Sequence, residues 1–313
     1  MTEFEFILQD RIAKIQAINE EYDLENNAYL SFSGGKDSTV LHYLIDMALP
    51  NNKIPRVFIN TGIEYSDIRK FVKSIANEDD RIIIYNSNIN IKEMLNKHGY
   101  PFKSKQHSER VDLYQHGSQC KSVINYLDIE SDSTFLCPKK LRYQFTPEFK
   151  LKCSEKCCKY LKKNVIKRWI KENKRSITLT GMKSDEGGQR SNINCVLVKN
   201  DKLIKFHPLL VVSDEWEEEF INNYNIKLCK LYYPPFNFER TGCKGCPFNI
   251  HLQDDLDTMA KFLPNEKKQC EIIWKPVYEE YRRIGYRLRA KGGGRQTNIF
   301  DILGDEEDET TGI

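Results

Sequence analysis

The stretch Ser31-Phe-Ser33-Gly34-Gly35-Lys36-Asp37-Ser38-Thr39 constrains the fold of this chain more than any other. An apolar run, Ala28 to Phe32, leads into it, and Thr39 to Ala48 follows with apolar residues at helical spacing, so the loop is expected to join a strand to a helix. Two adjacent glycines let the backbone turn tightly and approach a ligand, while the free N–H groups and positive dipole end of the helix face an anion. Ser33 and Ser38 add hydroxyl donors, and Lys36 adds a mobile cation. The spacing is not that of the Walker loop, which needs four residues between its first glycine and Gly-Lys-Ser/Thr. The expectation is a phosphate seat. The plain alternative is a glycine-rich turn of the kind that joins any strand to any helix.

Periodicity extends the pattern along the chain. Phe4, Ile7, Leu8, Ile12, Ile15 and Ile18 form one apolar stripe, which predicts an amphipathic helix over residues 1–25 packed on a sheet. Arg56 to Asn60 suits a buried parallel strand, Arg81 to Tyr85 a third strand, and Ile91 to His98 a short helix. Ser176 to Thr180 and Leu203 to Leu210 predict further strands, and Ser213 is placed to cap a helix with acids in its first turn. Alternating strand and helix signals point to βαβ units and a parallel sheet, an α/β fold. From Gly99 to about Pro147 the pattern is lost and an irregular segment is expected, opening on Lys103-Ser104-Lys105-Gln106-His107-Ser108, which suits an anion contact and a solvated loop equally. Leu252 to Leu288 predicts two helices, and the tail, with Gly292 to Gly294 and the acidic run Asp305 to Glu309, is expected to be disordered. The division expected is therefore an N-terminal helix (1–25), a nucleotide-binding domain that includes the cysteines (26–250), and a helical extension with its tail (251–313).

With 313 residues and 40% hydrophobic, the chain can bury a substantial core, and a net charge of only +3 neither favours nor excludes nucleic acid. Nothing spans a membrane, and Met1 to Asp10 lacks the basic start and apolar core of a signal peptide, so the cytoplasm is the expected location. Thiols stay reduced there, which directs ten cysteines toward metal or sulfur chemistry rather than a disulfide framework. Cys157-Cys158 and Cys243-x-x-Cys246 are two pairs distant in sequence that can converge on one soft-metal site; four thiolates suit zinc or an iron–sulfur cluster. Adjacent cysteines favour the larger object, because neighbours strain to place both sulfurs on one tetrahedral ion whereas a cubane offers separate irons. A [4Fe–4S] cluster is expected, with Zn2+ or unliganded thiols as alternatives. Cys153 offers an alternative ligand, and Cys120, Cys137, Cys195, Cys229 and Cys270 read as scattered thiols.

Ser-Gly-Gly-Lys-Asp-Ser also resembles the PP-loop of the N-type ATP pyrophosphatases, and further segments resemble the phosphoadenylyl- and adenylyl-sulfate reductase family within them. Thr61-Gly62 is similar to the family's Asp-Thr-Gly stretch, with Asn60 in place of Asp. Gly181, Glu186 and Arg190 match a Gly-x-Arg-x-x-Glu-Ser-x-x-Arg-like motif, in which Lys183 replaces Arg and Gly187 replaces Ser; Pro208-Leu209 before a helix is a further likeness. The two cysteine pairs resemble the cluster ligands of the assimilatory adenylyl-sulfate reductases, and Lys162 falls where that family has a basic residue near its cluster. The resemblance spans roughly residues 25–250.

It implies a doubly wound, mostly parallel sheet of the adenine nucleotide alpha hydrolase-like kind, here with a C-terminal helical extension. It implies nucleotide binding, of ATP or adenylyl sulfate, by Ser31, Ser33, Gly34, Gly35, Lys36, Asp37, Ser38, Thr61, Gly62 and Gly181. Mg2+ would offset the charge of a pyrophosphate. Lys36, Asp37, Lys183 and Arg190 are the candidate catalytic residues, and Cys157, Cys158, Cys243 and Cys246 the cluster ligands. Expected partners are an adenine nucleotide, a thioredoxin-like electron donor or a cysteine desulfurase, and nucleic acid. The family's C-terminal Glu-Cys-Gly-Ile/Leu-His nucleophile has no counterpart in Gly292 to Ile313, so literal sulfate reduction would need a thiol from elsewhere. Three functions follow: sulfur transfer or reduction; an ATP pyrophosphatase sulfurtransferase that adenylates nucleic acid, of the DNA phosphorothioation or tRNA thiolation type, with Lys159 to Lys167 facing it; and a non-catalytic nucleotide-binding module with structural zinc.

Overall fold

The computed structural model describes residues 1–128, 130, 135–184 and 193–290. Arg190, Glu186 and Gly187, the glycine run and the acidic tail lie outside the described residues. In chain order the regular elements are α1 (Glu3–Tyr22), α2 (Leu24–Asn27), β1 (Ala28–Ser31), α3 (Lys36–Ala48), β2 (Arg56–Asn60), α4 (Ser66–Glu78) and β3 (Ile82–Asn86). Then come α5 (Ile91–His98), α6 (Lys105–Gln115), α7 (Lys121–Leu127), α8 (Asn164–Asn173), β4 (Ile177–Leu179), β5 (Val196–Lys199) and β6 (Lys202–Phe206). The last are α9 (Asp214–Asn223), α10 (Leu252–Phe262), α11 (Pro264–Ile273) and α12 (Lys275–Ile284). The chain divides into two compact units, Met1–Ser87 with Asn164–Gly242, and Asn88–Lys163 with Cys243–Ile313.

The first unit carries a six-stranded sheet in the order β3-β2-β1-β4-β6-β5. Every pairing is parallel except β5 with β6, so the α/β, mostly parallel expectation holds. The strand order reverses at β1, with β2 on one side and β4 on the other, and ligands of open α/β sheets bind beyond the carboxyl ends of the strands at such a point. Tyr29, Val57 and Trp169 pack together with Ile59, Ile83, Ile166 and Ile170. Val40, Leu41, Leu44 and Ile45 bury the inner face of α3 completely. Phe4, Leu8, Ile15 and Ile18 of α1 are buried as their spacing predicts, while Ile7 and Ile12 are only half-buried. Thr2 and Glu5 close the start of α1 as a reciprocal capping box.

Two boundaries differ from the sequence expectation. The strand expected over Leu203 to Leu210 stops at Phe206, because the chain turns at His207 and Pro208. The antiparallel edge strand β5 was not anticipated; of its four residues one is half-buried and three are exposed, which leaves no buried alternation to read.

In the second unit the region expected to be irregular, residues 99–147, holds α6, α7 and a 3-10 turn, Lys139–Phe145. The inner face of α6 is mostly polar, two of its three buried residues being His107 and Ser108. His107 is fully buried between Tyr126 Oη at 2.8 Å and Gln144 Oε1 at 2.6 Å, and Ser108 Oγ both receives Phe102 N–H and donates to Phe102 O at 2.8 Å. A helix that buries His107 and Ser108 beside one apolar residue, Val111, shows no apolar stripe. Three helices, not two, fill residues 252–284, because Pro264 and Pro276 each start a new helix within the apolar pattern. Among the described residues no helix is long and apolar enough to cross a membrane.

Candidate functional site

The Ser33–Ser38 loop leaves the end of β1, the strand at which the sheet order reverses, and runs directly into α3, whose first residue is Lys36. The helix begins three residues before the apolar spacing does, which brings Lys36 and Asp37 into its first turn. The loop is laced by its own hydroxyls. Ser33 N–H donates to Ser38 Oγ at 3.2 Å, the two serine hydroxyls lie 2.9 Å apart, Gly35 N–H donates to Ser33 Oγ at 3.2 Å, and Ser38 Oγ donates to Gly35 O at 3.0 Å. Gly34 has φ +70°, and a Cβ there would stand 2.7 Å from Val72 Cγ2. Gly181 follows β4 so closely against the start of α3 that a Cβ would meet the carbonyl oxygen of Asp37 at 2.6 Å. One wall comes from a segment with no motif of its own: Tyr232 Oη accepts from Lys36 N–H at 3.1 Å and lies 2.6 Å from Thr241 Oγ1.

Beside the loop lies a cleft of about 670 Å3 whose lining includes Lys36, Asp37, Lys183, Asp214, Tyr232 and Arg240. Lys183 is nearly fully buried, and its ammonium is engaged by carboxylates: it donates to Asp214, lies 2.7 Å from Glu217 Oε2 and 3.8 Å from Asp37 Oδ1. Burial pulls the Lys183 pKa down, but the bonds to Asp214 and Glu217 outweigh it and leave it raised. Lys36 Nζ lies 3.3 Å from the same Glu217 oxygen and 4.0 Å from Asp214. Lys183, a candidate catalytic residue by the family resemblance, here sits among three carboxylates. Asp214 and Glu217, read in the sequence only as acids in the first turn of α9, are the site residues that reading missed, together with Tyr232 and Thr241.

Thr61 and Gly62 follow β2. Thr61 is buried, with its hydroxyl donated to Glu64 Oε1 at 2.6 Å and its N–H to Glu64 Oε2 at 3.0 Å, so its polar groups are already committed. Gly62 has φ +81° and open space where a Cβ would stand. Ser31, the last residue of β1, is exposed. His207 is structural, with Nδ1 2.6 Å from Thr180 Oγ1 and its pKa lowered by burial.

All four candidate cluster cysteines fall in the second unit. Cys157 and Cys158 lead into a π-helical turn, Lys159–Lys163. The two thiols share a hydrogen bond that pushes the Cys157 pKa up, with burial and the fields of Cys246 and Cys243 adding, and draws the Cys158 pKa down, where Lys105, Lys162 and Lys163 also favour the thiolate. Burial raises Cys246 to about 12, with Cys243 and Cys158 contributing. The two pairs therefore lie within one another's electrostatic reach. The Cys243–Pro247 loop is held from outside by α12 and the residue before it: Trp274 Nε1 donates to Lys244 O at 3.0 Å, Tyr278 Oη to Gly245 O, and Tyr281 Oη to Pro247 O at 2.9 Å. Lys244 itself is buried on Glu266. Cys153 is fully buried and pairs its backbone with Tyr100; burial, then Glu280 and Asp112, raise its thiol. Among the described residues no three His, Cys, Asp or Glu side chains converge tightly enough to hold a single metal ion.

A glycine-rich loop leaving the switch strand of a mostly parallel sheet, laced by serines and backed by lysine, defines a nucleotide-binding α/β enzyme class of the PP-loop kind. The model of the phosphoadenosine phosphosulfate reductase domain matches residues 27–135 and 133–249, and the chain belongs to that family. An uncharacterized protein of Methanocaldococcus jannaschii is 26% identical over 293 residues, which cover 89% of this chain and 55% of the relative. The chain thus spans about half the length of the curated relative it matches. Among solved structures, phosphoadenylyl-sulfate reductase from Candida auris in a phosphate complex is similar at 13% identity over 78% of this chain and 96% of its own, with a TM-score of 0.44. Yeast FAD synthetase with FAD is 12% identical over 90% and 86%, at a TM-score of 0.43. The U34-tRNA thiolase of Methanococcus maripaludis with its [4Fe–4S] cluster is 16% identical over 88% and 79%, at 0.37. At these scores nothing about chemistry transfers.

Proposed function

We propose that the chain binds an adenylyl nucleotide at the Ser33–Ser38 loop and carries out sulfur transfer or reduction, with a [4Fe–4S] cluster on Cys157, Cys158, Cys243 and Cys246. The observation that carries this reading is the gathering of two sequence-distant cysteine pairs in one unit, close enough that each perturbs the other's ionisation. Four soft thiols gathered in one compact unit are the donor chemistry such a cluster needs. When bound, the cluster supplies a one-electron redox centre.

The remaining roles belong to the first unit. The serine hydroxyls and the start of α3 seat the nucleotide phosphates, Lys36 follows the charge, and Gly181 lets the chain pass against the α3 turn that carries Asp37. Mg2+, brought with the nucleotide, offsets pyrophosphate charge. A thioredoxin-like donor or a cysteine desulfurase would supply electrons or sulfur.

A second reading, adenylation of a nucleic acid followed by sulfur transfer, draws on a basic cleft of about 670 Å3 in the second unit. Lys97, His98, His116, Lys150, Lys152 and Lys156 line it against a single carboxylate, Asp112. Such a surface suits a phosphodiester backbone.

Anaerobic purification with iron and sulfide analysis tests the first reading. About four irons per chain with broad visible absorption, lost in Cys157→Ser or Cys246→Ser, is the expected result. A colourless protein with one zinc would sink the redox reading and leave an adenylating enzyme or a nucleotide-binding module with structural zinc. Thiol-dependent sulfite release from an adenylyl sulfate then supports reduction, whereas pyrophosphate release from ATP supports the nucleic-acid reading.

A further inference from the structure

The inference rests on the reading that the Ser33–Ser38 loop seats nucleotide phosphates, and adds a residue to it. We propose that Glu217 is a positioning residue: it parks Lys36 and Lys183 on one carboxylate oxygen, and an incoming polyphosphate takes Lys36 by displacing it from Glu217. Glu217 therefore acts as an internal competitor that sets how much anionic charge the site accepts.

The geometry is lopsided in a way that solvation of the carboxylate does not explain. The Glu217 side chain is fully buried, with 0% exposure. Its Oε2 lies 2.7 Å from Lys183 Nζ and 3.3 Å from Lys36 Nζ, whereas its Oε1 is buried with no hydrogen-bond partner. A buried acceptor left unpaired is costly, so the convergence of two cations on the other oxygen is what the arrangement maintains.

The two lysines are not equivalent. Lys183 is 3% exposed and is also held by Asp214, so it stays when Lys36 leaves. Lys36 has a side chain 24% exposed, lines the cleft and belongs to the first turn of α3. Around the pair stand three carboxylates, Asp37, Asp214 and Glu217, so the parked state offers an anion no net positive charge, and of the other charged lining residues Glu218 and Glu239 outnumber Arg240. Burial raises the Glu217 pKa, with Asp37 reinforcing and Lys183 and Lys36 opposing; loss of Lys36 removes one of the two opposing charges.

ATP is the probe, with affinity measured by calorimetry without and with Mg2+. Glu217→Gln keeps the volume and removes the competing charge; it is expected to tighten Mg2+-free ATP binding by about tenfold, while Mg2+ narrows the gap. A substitution that only loosened a structural ion pair would weaken binding or leave it unchanged, and either result overturns the proposal. If Glu217→Gln does not fold, Glu217→Asp decides: the shorter carboxylate keeps its charge but withdraws it from Lys36, so Mg2+-free ATP binding tightens if Glu217 competes for Lys36, and unchanged or weaker binding overturns the proposal. No ATP binding by the folded wild-type chain would overturn the nucleotide reading itself, a failure distinct from the other two.

Discussion

The Ser33–Ser38 loop and the Cys243–Pro247 loop each present a tight turn at the heart of a candidate site, and they are held in opposite ways. The first is laced mainly from within, by Ser33, Ser38 and the Gly35 carbonyl. The second is gripped from a distance in sequence, by Trp274, Tyr278 and Tyr281 on three of its carbonyls. A turn held by its own side chains is sensitive to its own residues. One held by remote hydroxyls and ring N–H groups fails when a distant helix changes, although no ligand-like residue has been touched.

Paired glycine substitutions give the largest effects. Gly245 has φ +59°, and a Cβ there would meet Tyr278 Oη at 2.5 Å, Cys270 Sγ at 2.7 Å and Cys270 Cβ at 2.8 Å. Backbone strain and overpacking together predict a loss of roughly 3 kcal/mol or more for Gly245→Ala, with failure to retain iron. Gly34→Ala meets Val72 and Ile68 at φ +70° and is expected to abolish ATP binding instead. Iron content and ATP affinity, measured on both variants, should cross over. Loss of both properties in both variants would show that the two loops are not independently held.

Each unit also buries a histidine whose pKa burial lowers far enough to weigh on the acid limb of stability, His42 in the first and His107 in the second. Burial, then Arg56, lowers His42 to about 4 in the first unit; burial lowers His107 to about 4 in the second, where Gln144 opposes the shift and Lys103, Arg110 and Arg287 add to it. An unfolded histidine titrates near 6.5, so between about 6.5 and 4 the unfolded chain binds more protons. Stability is therefore lost as pH falls through that window, by roughly 3 kcal/mol for each ring. Urea unfolding across this range should show a shallower slope in His107→Gln than in the parent chain. An unchanged slope would remove His107 from the account.

Tyr278→Phe comes next. It leaves the Gly245 carbonyl without its buried donor, a cost of about 1–3 kcal/mol, and no cysteine is altered. Thermal unfolding and iron retention should both fall, while ATP affinity is unchanged. A variant as stable and as iron-replete as the parent would show that the grip on Gly245 is not what holds the loop.

The same contrast explains what was legible in the sequence. β2 is bounded as expected at Arg56 and Asn60 because a buried parallel strand reads as an apolar run, and the glycines and serines of the PP-loop announce their turn locally. His107 and Ser108 hid α6, since a helix buried through polar groups carries no apolar period. Asp214 and Glu217 looked like ordinary helix-start acids, and only the fold carries them across to Lys183 and Lys36. Tyr232 and Tyr278 follow the same rule: aromatic residues read as core or loop until a hydroxyl is found on a loop N–H or carbonyl.

Ser38→Ala is the smallest perturbation and separates lacing from ligand contact. Ser38 Oγ accepts Ser33 N–H, lies on Ser33 Oγ and donates to Gly35 O, so three loop groups lose a partner at once. Yet Thr39 Oγ1 also donates to Gly35 O at 2.9 Å, and the loop borders solvent, where water replaces a lost hydroxyl. The stability cost is therefore expected to stay near 1 kcal/mol. If Ser38 only laces the loop, ATP affinity falls by a similar, small factor; if its hydroxyl also meets phosphate, affinity falls by well over tenfold while unfolding barely moves. Measuring both on one variant distinguishes a loop that is merely rigid from one whose lacing groups are exchanged for the ligand.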